Sequence, residues 1–245
     1  MKIRIFDTQA EAGVYAASLL ERSILATEKP VLGLATGSTV IPLYKALVRL
    51  VECGLDVSQM VTINLDEYAG LPPGHEQSYH HFMEHNLFAK IPVAKNNIHI
   101  PRGSAANLLE ECARYDEIIR RHPIDLQVLG IGVNGHIGFN EPDDLLISRT
   151  HVVNLTDETI QSNARFFEDS KSVPRQAITM GVQSILQARQ IVLMAFGENK
   201  AAAIAKAIKG AVRTDVPASV LQLHRDVTVV LDKESAKELE LQTND

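Results

Sequence analysis

The chain of 245 residues is 45% hydrophobic and carries a formal net charge of -6. This acidic balance, without a basic run in the sequence, argues against a nucleic acid or an anionic membrane as partner, and no apolar run reaches the roughly 20 residues that cross a bilayer. The length suits one α/β domain over residues 1–245, and the two cysteines indicate neither a disulfide framework nor a zinc site.

The N-terminal segment starts a strand-like pattern at residues 2–6 and a helical pattern at 11–24, without the apolar core of a secretory signal. This start predicts a cytoplasmic protein. Short apolar segments and helical patterns then alternate along the chain. The apolar segments are 31–35, 61–65, 124–132, 150–155, 190–196 and 227–231, and the helical patterns are 43–54, 107–121 and 200–210.

Alternation of this kind predicts an α/β fold with a mainly parallel sheet. Segments such as Val-Leu-Gly-Leu-Ala at 31–35 are apolar on both faces, so helices should cover both sides of the sheet in a Rossmann-like three-layer sandwich. In such a sheet the ligand crevice lies beyond the carboxyl ends of the strands. The residues that follow each strand are therefore the candidates for chemistry.

The first candidate loop is formed by Thr36, Gly37, Ser38 and Thr39. It leads into a helix with Pro42 in its first turn, where exposed backbone N–H groups suit a phosphate. A plain capped turn explains the same residues. Arg165 and Lys200 are candidate cations for such a site, although a solvated surface position explains each of them taken alone.

The second candidate loop contains the adjacent carboxylates Asp66 and Glu67 at the end of an apolar segment. Neighbouring side chains in a strand point to opposite faces, so only one of the two can face a given crevice. Asp66 is the candidate base. A cap on the next turn is the simpler explanation of this residue taken by itself.

His81 and His85 lie one helical turn apart, a spacing that can bind a metal. The sequence shows neither the glutamate of a His-Glu-x-x-His site nor a third ligand nearby. We therefore assign no metal to this helix face.

The third candidate loop follows the apolar segment 124–132 and is rich in glycine. Its first glycines, which match part of a dinucleotide-binding fingerprint, are Gly130, Gly132 and Gly135. Such a fingerprint should open a helix directly, but Gly138 and Pro142 interrupt any helix here. The nucleotide interpretation is therefore weak.

The same loop carries an imidazole and a carboxylate in one tight turn. His136 can move a proton near neutral pH, and Glu141 can hold or polarise the imidazole. This pairing favours acid-base chemistry on a small molecule over nucleotide binding.

Several segments in the same order together resemble the glucosamine-6-phosphate deaminase family of amino-sugar-phosphate isomerases. These segments are 32–39, 64–71, 77–83, 130–142, 148–153, 163–167 and 221–224. The resemblance implies an enzyme that converts D-glucosamine 6-phosphate and water to D-fructose 6-phosphate and ammonia, without a metal or an organic cofactor. It also implies that the 36–39 loop, Arg165 and Lys200 hold the phosphate, and that residues from about 149 to 180 form a helical lid.

The resemblance assigns the proton transfers to a few residues. His136 would assist the opening of the sugar ring, Glu141 would support His136, and Asp66 would move a proton from carbon 2 to carbon 1. Asn134 stands where some members of the family have an aspartate. We expect Asn134 to orient His136 by hydrogen bonding while stabilising the imidazolium less than a carboxylate would.

A second departure concerns regulation. Regulated hexameric relatives bind an effector phosphate through basic residues at positions that here read His151 and Val153. We therefore expect hyperbolic kinetics and a monomer or small homo-oligomer. The competing interpretations are a 6-phosphogluconolactonase-like hydrolase of the same fold and a non-catalytic sugar-phosphate sensor domain.

Overall fold

A computed structural model of the protein describes residues 1–164, 167 and 173–239. Its main sheet has seven strands in the order β1-β10-β9-β6-β2-β3-β5, and all of its strand pairs are parallel. The bounds are β1 Lys2–Phe6, β2 Val31–Leu34, β3 Val61–Asn64, β5 Ile98–His99, β6 Leu126–Leu129, β9 Gln190–Ala195 and β10 Val227–Asp232. Helices on both faces confirm the predicted α/β sandwich.

The helices follow the predicted patterns where these are long. Their bounds are α1 Gln9–Leu25, α2 Ile41–Glu52, α3 Tyr79–Asn86, α4 Leu108–Arg121, α5 Asp157–Ala164, α6 Val182–Leu186 and α7 Ala201–Lys209. Thr8 and Glu11 form a capping box that fixes the start of α1. Within the described ranges, no helix is both long and apolar enough to span a bilayer.

The central strands are buried along their whole length. Every residue of β2, β3, β6 and β10 is buried, which explains why their sequences lack an apolar-polar alternation. The core forms where their side chains meet the apolar faces of the helices, with Leu20, Leu43 and Leu47 fully buried.

A second, antiparallel sheet is not predicted by the sequence patterns. Its strands, in the order β4-β8-β7, are β4 Asp66–Tyr68, β8 Gln176–Thr179 and β7 His151–Asn154. The apolar segment 150–155 therefore belongs to this small sheet and not to the parallel one. In β7 itself, His151, Val152 and Val153 are partly buried and Asn154 is exposed, as expected of a strand with one face towards solvent.

Candidate active site

A cavity of about 430 Å³ opens at the carboxyl ends of β2, β3, β6 and β9. Residues that directly follow each of these strands line it: Ala35 after β2, Leu65 after β3, Gly130 after β6 and Phe196 after β9. This is the edge of a parallel sheet where ligands bind. The three loops that the sequence analysis selected all reach this cavity.

Two short turns present helix N-termini to one side of the cavity. Gly37 adopts a φ of 101°, and a 3-10 turn at Ser38–Val40 runs from it into α2. Gly197 adopts a φ of 89°, and a second 3-10 turn at Glu198–Lys200 runs into α7. Helix N-termini carry partial positive charge, so this side suits an anion such as phosphate.

The lining residues of these turns are Thr36, Ser38, Thr39, Asn199 and Lys200. The Lys200 Nζ lies 2.8 Å from the Ile131 backbone oxygen, to which it donates a hydrogen bond, so its charge faces the cavity and not bulk solvent. Asn199 was missed by the sequence analysis. The glycine-turn-helix sequence that Gly197 shares with Gly37 is the signal that would have found it. Arg165 lies outside the described residues.

Asp66 is the first residue of β4, two residues beyond the end of β3, and it lines the cavity. Asp66 is buried, with 6% of the residue exposed. Burial, with a smaller contribution from the charge of Glu67, raises the pKa of Asp66 from 3.8 to about 8. Asp66 is thus suited both to accept and to return a proton near neutral pH.

Glu67 points away from the cavity, as the strand geometry predicts. Its Oε1 accepts a hydrogen bond from the backbone N–H of Tyr79 at 2.9 Å, and its Oε2 contacts the backbone N–H and the ring of His80 at 3.1 and 2.8 Å. Glu67 therefore accepts hydrogen bonds from backbone N–H groups that have no partner within the first turn of α3. The capping role that was considered for Asp66 falls to Glu67 and to Ser78, which accepts from His81.

His136 and Glu141 face each other across the glycine-rich loop. The His136 Nδ1 lies 3.3 Å from the Glu141 Oε2, an ion-pair distance without hydrogen-bond geometry. Asn134 donates through Nδ2 to the same Oε2 at 2.9 Å and accepts from the His136 backbone N–H at 3.2 Å. Asn134 thus holds both the carboxylate and the main chain of the histidine, instead of the imidazole itself.

Burial alone would raise the pKa of Glu141. The neighbouring His136 and the hydrogen bonds from Thr159 and Asn134 outweigh burial, so the pKa of Glu141 lies below its ordinary value. The carboxylate is therefore ionised beside the imidazole at neutral pH, where it can stabilise a protonated His136.

Gly132 has a packing role in this loop. A Cβ atom at Gly132 would lie 2.4 Å from both Cε1 and Nδ1 of His136, so only glycine leaves room for the ring. No helix begins between residues 130 and 150, which contradicts a dinucleotide fingerprint.

Two further parts of the cavity wall were missed by the sequence analysis. Tyr79 and Phe139 stack with ring centroids 6.0 Å apart and both line the cavity. Thr159, from α5, reaches Glu141 from the opposite side of the loop. Tyr79 and Phe139 lie within the segments 77–83 and 130–142 that carry the family resemblance, and this is the signal that could have found them. Thr159 lies in no such segment.

The rings of His81 and His85 stack on each other, with centroids 6.4 Å apart. Within the described part of the chain, no group of three or more histidine, cysteine, aspartate or glutamate residues is placed to hold a metal ion.

Comparison with known proteins gives matches along nearly the whole chain. The family model for glucosamine-6-phosphate isomerases/6-phosphogluconolactonase matches residues 7–230. The glucosamine-6-phosphate deaminase of Thermoanaerobacter sp. (strain X514) is 52% identical over 238 residues, which cover 96% of this chain and 94% of that protein. The glucosamine-6-phosphate deaminase of Lacticaseibacillus paracasei is 51% identical over 239 residues, which cover 98% of this chain and 99% of that protein.

Solved structures extend the comparison. A monomeric glucosamine-6-phosphate deaminase matches with a TM-score of 0.95 at 43% identity, over 97% of this chain and 100% of the other. The 6-phosphogluconolactonase from Trypanosoma cruzi matches with a TM-score of 0.78 at 21% identity, over 98% of this chain and 97% of the other. The second match shows a shared fold only.

Proposed function

The chain belongs to the family of glucosamine-6-phosphate isomerases and 6-phosphogluconolactonases, and we propose that within this family it is a glucosamine-6-phosphate deaminase. The observation that carries this proposal is the placement of Asp66 and the His136–Glu141 pair on different loops of one cavity. Relatives that are about half identical over nearly their full length bear the same name.

The proposed reaction needs two proton-transfer groups. An aminoaldose must first open its ring, because only then does the hydrogen on carbon 2 lie beside a carbonyl and become acidic. His136, polarised by Glu141, protonates the ring oxygen as the ring opens. Asp66 then takes the proton from carbon 2 and returns it to carbon 1. With one proton of the ammonium group passing to the oxygen on carbon 1, this transfer leaves a hydroxyl at carbon 1 and an iminium at carbon 2, which water hydrolyses to the ketose and ammonia.

The side of the cavity that is proposed to bind the phosphate orients the sugar. We propose that the two helix N-termini and Lys200 bind the phosphate, with Arg165 as an additional cation. Binding the phosphate there fixes the sugar between Asp66 and His136, so that binding energy is used to align the reacting groups. All steps are proton transfers and hydrolysis, for which we propose no metal and no organic cofactor.

The main competing function is hydrolysis of a 6-phosphogluconolactone, which shares the fold. A lactonase needs one base to activate water, and it has no proton to move between two carbons. A buried carboxylate with a pKa raised to about 8, facing the same cavity as an imidazole, favours the isomerising deaminase. A sensor domain would need none of these proton-handling groups.

Substrate choice tests the proposal. Purified protein is incubated in a metal-chelating buffer with D-glucosamine 6-phosphate and, separately, with 6-phosphogluconolactone. We expect turnover of the amino sugar and no acceleration of lactone hydrolysis over buffer. The reverse pattern would replace the deaminase by a lactonase. Tight binding of the amino sugar phosphate without turnover would favour a sensor.

We also propose that the protein is an unregulated monomer or small homo-oligomer that acts in the cytoplasm. Burial lowers the pKa of His151, whose ring Nδ1 lies 2.9 Å from the Arg149 backbone oxygen. His151 is therefore neutral at neutral pH, and with Val153 beside it in β7 it offers no pair of cations to an effector phosphate. The similarity to a monomeric deaminase supports the same proposal.

We propose that residues 149–180 form a lid over the cavity. In the described part of this segment, β7 and β8 pair with each other and α5 lies between them in the chain. Closure over a bound sugar would exclude water from the reacting carbons. Slower proteolysis of this segment when a substrate analogue is bound would support closure, and an unchanged rate would count against it.

A further inference from the structure

Thr159 links α5 to the carboxylate that supports His136. The side chain is buried, with 3% of the residue exposed, and its Oγ1 lies 2.5 Å from the Glu141 Oε1. Eighteen residues separate the two in sequence, so the contact exists only because α5 packs onto the glycine-rich loop. Thr159 also lines the cavity.

The direction of this hydrogen bond follows from charge. Glu141 is ionised at neutral pH, and an ionised carboxylate only accepts, so the Thr159 hydroxyl must donate to it. The Thr156 hydroxyl donates in turn to the Thr159 Oγ1 at 3.1 Å. The chain of donors therefore runs from Thr156 through Thr159 to Glu141, and it uses the single proton of the Thr159 hydroxyl.

The two oxygens of Glu141 have separate partners. Oε1 is held by Thr159, whereas Oε2 is held by Asn134 at 2.9 Å and lies 3.3 Å from the His136 Nδ1. A carboxylate can turn about its last carbon-carbon bond. A fixed Oε1 therefore keeps Oε2 directed at the imidazole, and a charge-assisted hydrogen bond is strong enough to set this orientation.

We propose that Thr159 is a positioning residue for ring opening: its hydroxyl orients Glu141 so that the carboxylate faces His136. This inference rests on the proposed deaminase function and assigns Thr159 of α5 a role in it. Thr159 acts through Glu141 and His136, and its contribution belongs to the proton transfer to the ring oxygen, not to binding of the phosphate.

The test compares Thr159→Val, which keeps the shape and removes the hydroxyl, with Thr159→Ser, which keeps the hydroxyl. In Thr159→Val we expect kcat to fall about 10- to 100-fold, within the range of general acid-base catalysis and its support. KM and the affinity for the open-chain analogue 2-amino-2-deoxy-D-glucitol 6-phosphate should stay within about 2-fold. Thr159→Ser should restore most of the lost kcat.

The pH profile adds a readout that a purely structural role would not move. Loss of the Thr159 hydrogen bond raises the pKa of Glu141, so the acid limb of kcat/KM should shift to higher pH in Thr159→Val and return in Thr159→Ser. Thr150→Val is the matched control. Thr150 is a buried threonine in the same part of the chain, and its hydroxyl has no hydrogen-bond partner among the described residues.

Each outcome decides a separate question. A wild-type protein that is active on D-glucosamine 6-phosphate, with Thr159→Val unchanged in kcat and pH profile, would overturn the role of Thr159 and leave the proposed function standing. Equal losses in the valine and serine variants, or weaker binding of the open-chain analogue, would reduce Thr159 to a structural residue. An inactive wild-type protein would refute the proposed function and the ring-opening role with it.

Discussion

Burial of Asp66 affects both the stability of the protein and the proposed chemistry of this side chain. In the folded protein the Asp66 carboxyl keeps its proton up to about pH 8, whereas in the unfolded chain it loses the proton near the ordinary pKa of 3.8. Between these values the unfolded state binds fewer protons than the folded state, so the buried carboxyl lowers stability as pH rises. The same burial brings the pKa of Asp66 close to neutral pH, where a catalytic base must both take up and release a proton.

The variant Asp66→Asn should therefore be stabilised in a pH-dependent way. We expect the unfolding free energy of the variant, relative to wild type, to rise by up to about 1.4 kcal/mol per pH unit between about pH 4 and 8 and then to level off. Urea unfolding at a series of pH values measures this difference. Asp144→Asn, at an exposed residue, controls for the change in net charge. A difference for Asp66→Asn that does not vary with pH would contradict the buried, raised pKa.

Gly132 leaves room for the imidazole ring of His136. In Gly132→Ala the new Cβ would lie 2.4 Å from the imidazole, so His136 must move and kcat/KM should fall about 100-fold. Steady-state kinetics tests this, and Gly74→Ala is the matched control because a Cβ there meets no atom within 4 Å. Wild-type activity in Gly132→Ala would show that the ring position is not required.

Residue types and strand ends indicate Asp66, His136 and Glu141 as candidates, and the family resemblance adds Asn134. In the structure Asp66, Asn134 and His136 line one cavity, and Glu141 lies 3.3 Å from the His136 ring. Their roles remain predictions. Thr159 could not be predicted, because it reaches the site through the packing of α5 and not through a motif. Asn199 could have been predicted from the glycine-turn-helix sequence that Gly197 shares with Gly37. The capping role of Glu67 also depends on packing, since α3 begins 12 residues later than this carboxylate.

At the scale of elements, the junction between β3 and β4 decides which carboxylate faces the cavity. Leu65 alone separates the two strands, and the chain leaves the parallel sheet there to pair with β8. The alternation of side chains along β4 then sends Asp66 to the cavity and Glu67 to α3. One short strand thus supplies a candidate base and a helix cap.

Removal of the charge of Glu67 should weaken this junction. Glu67→Gln replaces a buried carboxylate that meets two backbone N–H groups at the start of α3 with an amide whose Nε2 cannot accept. We expect a loss of about 1–3 kcal/mol in unfolding free energy, measured by urea unfolding. The exposed Glu76→Gln nearby should change stability by less than about 0.5 kcal/mol. Equal effects at the two sites would contradict the capping role.

The sequence predicts the long helices, whose apolar residues repeat over several turns, but not the short strands that pair with segments far away in the chain. Helices of 12 to 17 residues such as α1, α2 and α4 show their apolar face in the sequence. The strands of the small sheet have three or four residues, and β4 pairs with β8 across more than 100 positions. Such short strands carry too few residues to set a period, so only tertiary contacts define them.

At the scale of the whole molecule, we expect each chain to act as an independent catalytic unit. Light scattering should give a mass near 26.9 kDa, or a small multiple of it, at micromolar concentrations. Initial rates should depend hyperbolically on D-glucosamine 6-phosphate, and N-acetylglucosamine 6-phosphate should not activate, because the His151 and Val153 positions offer it no cation pair. Sigmoidal kinetics relieved by that compound would contradict this prediction.

The most direct test of the account is the stoichiometry of the reaction in wild type and Asp66→Asn. Ammonia and D-fructose 6-phosphate are measured together as D-glucosamine 6-phosphate is consumed in a chelating buffer. We expect equal release of both products by wild type, and at least about a 1,000-fold lower rate in Asp66→Asn with retained binding of the open-chain analogue. Release of ammonia without the ketose, or an Asp66→Asn variant as active as wild type, would contradict it.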